Sequence, residues 1–351
     1  MTLERNGDVM GNELMNCTFV KTILMLLVVL YHSMVFWSGN WIEIVTPAYS
    51  SKVLEVISAF LNSFHIYGFS LVSGYLYYFV RFEKQGYQDT RKFVEKKVKR
   101  LLIPFYFVSF FWAMPFGIFL LKIDIYEAIK KYLFGTSPNQ LWFLLMLFWS
   151  LIILHLVSNM FKKNTWLMVF ICTILWVISI VGKHYLSDYM QFFSGLSYVP
   201  FVSIGFLFRQ KGTYKIRQLG TVFWIVLFVT LFVFVYIINE RCKGSVLSAT
   251  VIPLSMILHL VGAIAAFLTL QRIAQKINWQ ENNLFSLLSK YSMTIYLFHQ
   301  QIVYLVIVLL NGVVYPFTNV CANFLVAIVV SLIISWILTR FKITRALTGN
   351  S

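Results

Sequence analysis

The chain has 351 residues, of which 59% are hydrophobic and 12% charged, and its formal net charge is +16. A soluble domain carries about a quarter charged residues and about 45–50% apolar ones, so a purely water-facing globule is excluded and lipid must be part of the solvent. The basic residues fall between apolar runs rather than in one patch with interleaved aromatics, which excludes a nucleic-acid footprint and leaves the charge pattern of a membrane protein.

Crossing the hydrocarbon takes about 20 mainly apolar residues as helix. Ten segments qualify, at about 17–37, 57–80, 101–121, 139–159, 165–182, 193–208, 219–239, 248–270, 289–310 and 318–340, the sixth being the shortest. The expected fold is therefore all-α: a polytopic membrane protein with one transmembrane domain over 17–340, an N-terminal tail over 1–16 and a C-terminal tail over 341–351. The first run is long enough to span and no small-residue cleavage site follows it, so no cleavable signal is expected. With the N-terminus inside, 22 of the 29 Lys and Arg fall on inner segments. The outer loops hold only Lys52, Lys122, Lys130, Lys131, Lys183, Arg241 and Lys243, a bias that places both termini in the cytoplasm. The four Cys show no CxxC or metal spacing. Cys242 and Cys321 fall on the same outer side, which leaves room for a disulfide without requiring one.

Ionisable side chains inside a span are costly, so each is a functional candidate. Lys21 and His32 lie in the first run, 11 residues apart. At about 100° per residue they share one helix face, separated by about 16 Å of rise, with Lys21 near the inner surface and His32 well inside the membrane. A basic helix-like run, Asp89–Arg100, follows the second run. It reads as an anchor on anionic headgroups, and it can also receive a polyanionic cosubstrate; both readings stay open. His65 in the second run sits at about the depth of His32, roughly 21–23 Å from the inner end, so the two imidazoles can share a polar pocket. His155 looks interfacial, and His259 reads first as a helix–helix hydrogen-bonding residue. For His299, followed by Gln300 and Gln301, structural and binding roles are both open.

A neutral imidazole is the natural general base at physiological pH and can take the proton of a hydroxyl substrate. Lys21 lies too far along the axis to act on the same atom, but it can neutralise a phosphate at the mouth of the same channel. No GxSxG elbow, HExxH, Walker A or dinucleotide fingerprint accompanies this stripe, which argues against metal hydrolysis, nucleotide hydrolysis and a familiar serine acyl-enzyme. No metal is expected.

The residues resemble the membrane acyltransferase-3 family, which O-acylates glycans, antibiotics and other small acceptors. That family opens with an Arg or Lys separated by ten residues from a His, matched by Lys21 and His32. Its Phe-His-Met-Pro and Ser-Gly-Phe/Tyr segments are matched by Phe64-His65-Ile66-Tyr67 and Ser73-Gly74-Tyr75, with Ile-Tyr in place of Met-Pro. Its basic stretch ending Arg-Leu-Leu-Ile-Pro is matched by Arg100–Pro104, and its Trp-Phe-Leu span resembles Leu141–Leu144. Pro200-Phe201 through Gly205-Phe206, and Tyr291-Ser292 with Tyr296-Leu297-Phe298-His299, resemble its later segments. Each piece is weak alone; their order over residues 21–300 is specific. Lys for the commoner Arg at 21 replaces a bidentate fork with a point charge.

The resemblance implies an O-acetyltransferase of a bacterial inner membrane, taking acetyl-CoA or another acyl-CoA from the cytoplasm. It implies His32 as catalytic base with Lys21 as its partner, and Lys21, Lys97 and Arg100 as contacts of the CoA. His65, Ser73, Trp142, Tyr296 and His299 would bind or orient the acceptor, a sugar hydroxyl of a surface polysaccharide or its lipid-linked precursor. The partners are then membrane lipid and that glycan, without the soluble esterase-like domain that many relatives append. A secondary transporter or flippase has a similar helix count and a basic inner face, but no internal repeat is visible here and Pro104 and Pro253 lie near span ends. A non-catalytic scaffold leaves the Lys21/His32 stripe unexplained.

Overall fold

A computed structural model describes residues 2–39, 41, 45–212, 220–241 and 248–349, with side chains from Leu14 onward and, in the eighth span, from Val251. Cys242, Lys215, Arg217 and Lys243 lie outside the described residues, as does the side chain of Arg5. Among the described residues ten helices are long and apolar enough to cross a membrane: Leu14–Ser38, Lys52–Glu83, Thr90–Phe119, Asn139–Lys163, Thr165–Tyr185, Tyr189–Lys211, Thr221–Arg241, Val251–Lys276, Ser292–Leu310 and Pro316–Thr339. They are numbered here as the first to tenth spans. Among the described residues there is no strand, only a bridge between Asn311 and Val314. The chain is an all-α, multi-pass membrane protein.

Most spans run past their expected ends, because polar turns on the water side continue the helix. The largest such difference concerns Asp89–Arg100. Asp89 caps a helix by accepting from the amides of Arg91 and Lys92 at 2.8 and 3.3 Å, and that helix continues into the third span rather than lying apart on the surface. The continuation passes through two wide π turns, Val98–Leu102 and Ser109–Ala113. Each ends two residues before a proline, Pro104 and Pro115. Proline lacks the N–H for its turn and its ring crowds the carbonyl four residues back, so a locally widened helix relieves the clash without breaking the span.

The second and sixth spans make the closest contact in the bundle. A Cβ on Gly74 would fall 1.8 Å from the Val202 carbonyl oxygen, and one on Gly205 would fall 1.8 Å from that of Leu71. Only glycine at both places lets the two backbones meet, the small-residue packing on which membrane helices rely when lipid removes the hydrophobic drive between them. At the charged end of this pair Arg209 donates to both oxygens of Glu83 at 2.6 Å and to the Tyr75 hydroxyl at 2.9 Å. Nearby, Gln210 donates to the Lys162 carbonyl. These contacts gather the basic span ends at one face, referred to below as the basic face.

The first, fourth, sixth and ninth spans form the interior, whereas the fifth, seventh and tenth turn apolar side chains such as Trp166, Val222 and Ile333 outward, where lipid replaces water as their solvent. Cys321 is exposed on the tenth.

Candidate active site

Between the first, second, third, fourth and ninth spans lies a cavity of about 280 Å³. Lys21 and His32 both line it, as one stripe of the first span must once that face turns inward. Lys97 and Arg100 line it from the third span, Ser73 from the second, Trp142 from the fourth and Tyr296 from the ninth. The walls between are apolar, with Met25, Val28, Ile66 and Phe69 among them. Lys21 places its ammonium 5.9 Å from the Phe69 ring centre, and Lys97 sits over Tyr87 and Phe93 at 5.3 and 5.2 Å. Neither cation has a carboxylate partner among the described residues. The cavity therefore carries positive charge toward the basic face and an imidazole at depth.

His32 is held by His299, a partner the sequence did not suggest, 267 residues away. His299 Nδ1 lies 2.8 Å from the Tyr296 carbonyl oxygen and 3.1 Å from that of Ile295. A carbonyl can only accept, so Nδ1 carries the proton and Nε2 presents a lone pair. That lone pair meets His32 Nδ1 at 2.9 Å, so His32 Nδ1 is the donor. His32 Nε2 is then an acceptor with no hydrogen-bond partner among the described residues, on a side chain that lines the cavity. Two main-chain carbonyls thus set the tautomer of a second imidazole and, through it, of the first. Trp41 stacks on the His32 ring at 5.8 Å.

A polar layer braces this pair. The Gln140 amide N–H donates to Gln300 Oε1 at 2.8 Å, and its side-chain Nε2 donates to the Leu297 carbonyl and Gln301 Oε1 at 3.0 and 2.9 Å. The Tyr296 hydroxyl donates to the Gln140 carbonyl. The turn that starts the fourth span is thereby fastened to the ninth, which positions Trp142 beside the cavity. Ser73 donates to the Phe69 carbonyl of its own helix at 2.9 Å, so toward the cavity its oxygen can only accept.

His65 departs from the shared pocket expected for it and His32. It is fully buried, donates from Nδ1 to the Leu61 carbonyl and packs on Tyr31 at 5.1 Å, but it contributes nothing to the cavity wall. Its depth along the helix followed from the sequence; its rotation about the axis, set by the neighbouring spans, did not. His299 likewise stands behind His32 rather than in the wall. His259 donates to the Ser63 carbonyl at 2.9 Å and stacks on Tyr67 at 4.0 Å, a packing role. His155, expected near the inner interface, is buried against Arg81, a cation that no sequence feature singled out. Among the described residues no three His, Cys, Asp or Glu side chains are grouped as metal ligands.

A family model described as an acyltransferase domain, acyltransferase-3, matches residues 18–340. No curated protein and no solved structure matches the chain.

Proposed function

This chain belongs to that acyltransferase family, and from that premise we propose that it is a membrane O-acetyltransferase, moving an acetyl group from acetyl-CoA to a sugar hydroxyl of a cell-surface polysaccharide or its lipid-linked precursor. The basic face is cytoplasmic in this reading, as the excess of Lys and Arg on one side favours, and the membrane is a bacterial inner membrane. The observation that carries the proposal is one cavity with unpaired cations toward one end and an unpartnered imidazole nitrogen at the other.

Lys97 and Arg100 meet the phosphates of the donor and Lys21 lies along its path, so that the thioester reaches His32 through the apolar middle of the cavity. The acceptor hydroxyl attacks the thioester carbonyl carbon while its proton passes to His32 Nε2. The new C–O bond forms, the C–S bond breaks, and the imidazolium returns its proton to the departing thiolate. His299 accepts from His32 Nδ1–H throughout, and that bond strengthens when His32 is charged. Unlike the carboxylate of a serine-protease triad, His299 orients without bringing a counter-charge. Trp142, Ser73 and Tyr296 form the acceptor side.

The test is acetyl transfer in proteoliposomes. His32→Ala is expected to lose the contribution of a general base, about 10²–10⁴-fold in kcat. Turnover by that variant at the wild-type rate would overturn the mechanism.

A further inference from the structure

The basic face holds a second cavity, of about 710 Å³, beside the mouth of the first. Its wall carries Lys92, Lys96, Lys99 and Arg100 from the third span, Lys290 just ahead of the ninth and Arg345 beyond the tenth. Against these six cations stands one carboxylate, Glu95, and it already pairs with Arg91 at 3.3 Å. None of the six makes an ion pair among the described residues. Cations crowded in this way repel one another and concentrate anions; the arrangement is relieved by a ligand with more than one negative charge.

The basin adjoins the active-site cavity at Arg100, which lines both. Its far wall is built by the segment after the tenth span. A short helix, Lys342–Leu347, folds back, Thr348 is fully buried, and Gly349 turns with φ +75° against the third span. A Cβ at Gly349 would lie 3.2 Å from the Arg100 carbonyl oxygen and 3.1 Å from Pro104. The end of this segment, Thr348 and Gly349, is therefore packed on the third span and fixes Arg345 in the wall, and residues 341–349 lie beyond the stretch matched by the family model.

We propose that this basin binds the 3′-phosphorylated adenosine end of the acyl-CoA donor, an assignment that rests on the acyl-CoA reading above. The diphosphate then passes Arg100 at the junction, and the pantetheine arm enters the first cavity beside Lys97 and Lys21. From Lys21 the first span rises about 16 Å to His32, which is the distance the arm has to cover.

The experiment is equilibrium binding of CoA and of 3′-dephospho-CoA to the full chain in nanodiscs of zwitterionic lipid. Wild type is expected to bind CoA about tenfold more tightly, the effect of one charge-assisted phosphate contact, and salt should shrink the preference. Lys290→Gln combined with Arg345→Gln should bring the ratio close to one; both residues are exposed, so packing is preserved. Lys99→Gln alone should lower the ratio part of the way. A wild-type ratio near one, or an unchanged ratio in the double variant, overturns the proposal. A ratio near one together with anionic lipid retained by wild type and lost by the variant would give the basin to headgroups instead. Binding is read without turnover, so the two readings fail separately. CoA bound with the expected preference while acetyl-CoA is never consumed sinks only the transfer reading, and no binding of either coenzyme sinks both.

Discussion

Two buried imidazoles in this protein face opposite fates. His32 is 8% exposed and His155 3%, and each is hydrogen-bonded and packed on an aromatic ring. His155 has both nitrogens occupied from within: Arg81 donates to it at 2.8 Å, the Tyr77 and Thr90 hydroxyls stand at 3.0 and 3.1 Å, and Phe93 stacks on it at 4.1 Å. His32 has one nitrogen occupied and the other turned to a cavity. Burial and hydrogen bonding therefore do not separate a reactive imidazole from a structural one. A free lone pair facing a cavity does, for His65 Nε2 also lacks a partner but its side chain lines no part of the cavity.

The largest effect that would sharpen this contrast is the loss of about 10²–10⁴-fold in kcat for His32→Ala, with the melting temperature almost unmoved. Next comes His299→Ala, which frees the His32 ring to rotate and to exchange tautomers. We expect kcat to fall about 10²-fold with KM for both substrates retained. His299→Gln, whose Oε1 can still accept from His32 Nδ1–H, should recover part of the loss, and equal loss in both variants would show that His299 does not orient the base. His155→Ala should act the other way round. The Arg81 guanidinium, whose Nε already lacks a partner, would keep only the Tyr87 carbonyl as acceptor, costing about 2–3 kcal/mol of stability by thermal unfolding in detergent. Activity per folded molecule should stay within a few-fold, and a collapse in kcat without loss of stability would erase the distinction. The smallest effect is at Lys21: Lys21→Met should raise KM for acetyl-CoA about tenfold at nearly constant kcat, and Lys21→Arg should restore it.

The spans and the Lys21/His32 stripe were legible because hydrophobic period and helical rise are local quantities. Seven of the nine residues proposed for the site line one cavity. His65 and His299 do not, for different reasons. His65 sits at the right depth on the wrong side of its helix, since azimuth depends on which neighbours pack there. His299 was visible as a candidate, but its role as the brace of His32 depends on a meeting of the first and ninth spans that no periodicity encodes. The Gln140 layer was hidden for the same reason. Gly74 and Gly205 could be read as motif letters, but that each admits the other's helix became a physical statement only with the backbones in place. The wall built by Arg345 and Gly349 was invisible because a short polar segment after the last apolar run carries no period to read.

The wide turn at Val98–Leu102 has a consequence for how the third span tolerates change in length. It holds one residue more than a regular turn would, so it works as a phase adjuster between Pro104, anchored in the bundle, and the cationic stretch before it. Deleting one residue inside that turn would let the helix wind regularly and keep Lys92, Lys96 and Lys97 on their present face, whereas deleting one from the regular helix after it would swing them by about 100° around the axis. The charges would all survive in both cases, and only in the second would the entrance be facing the wrong way.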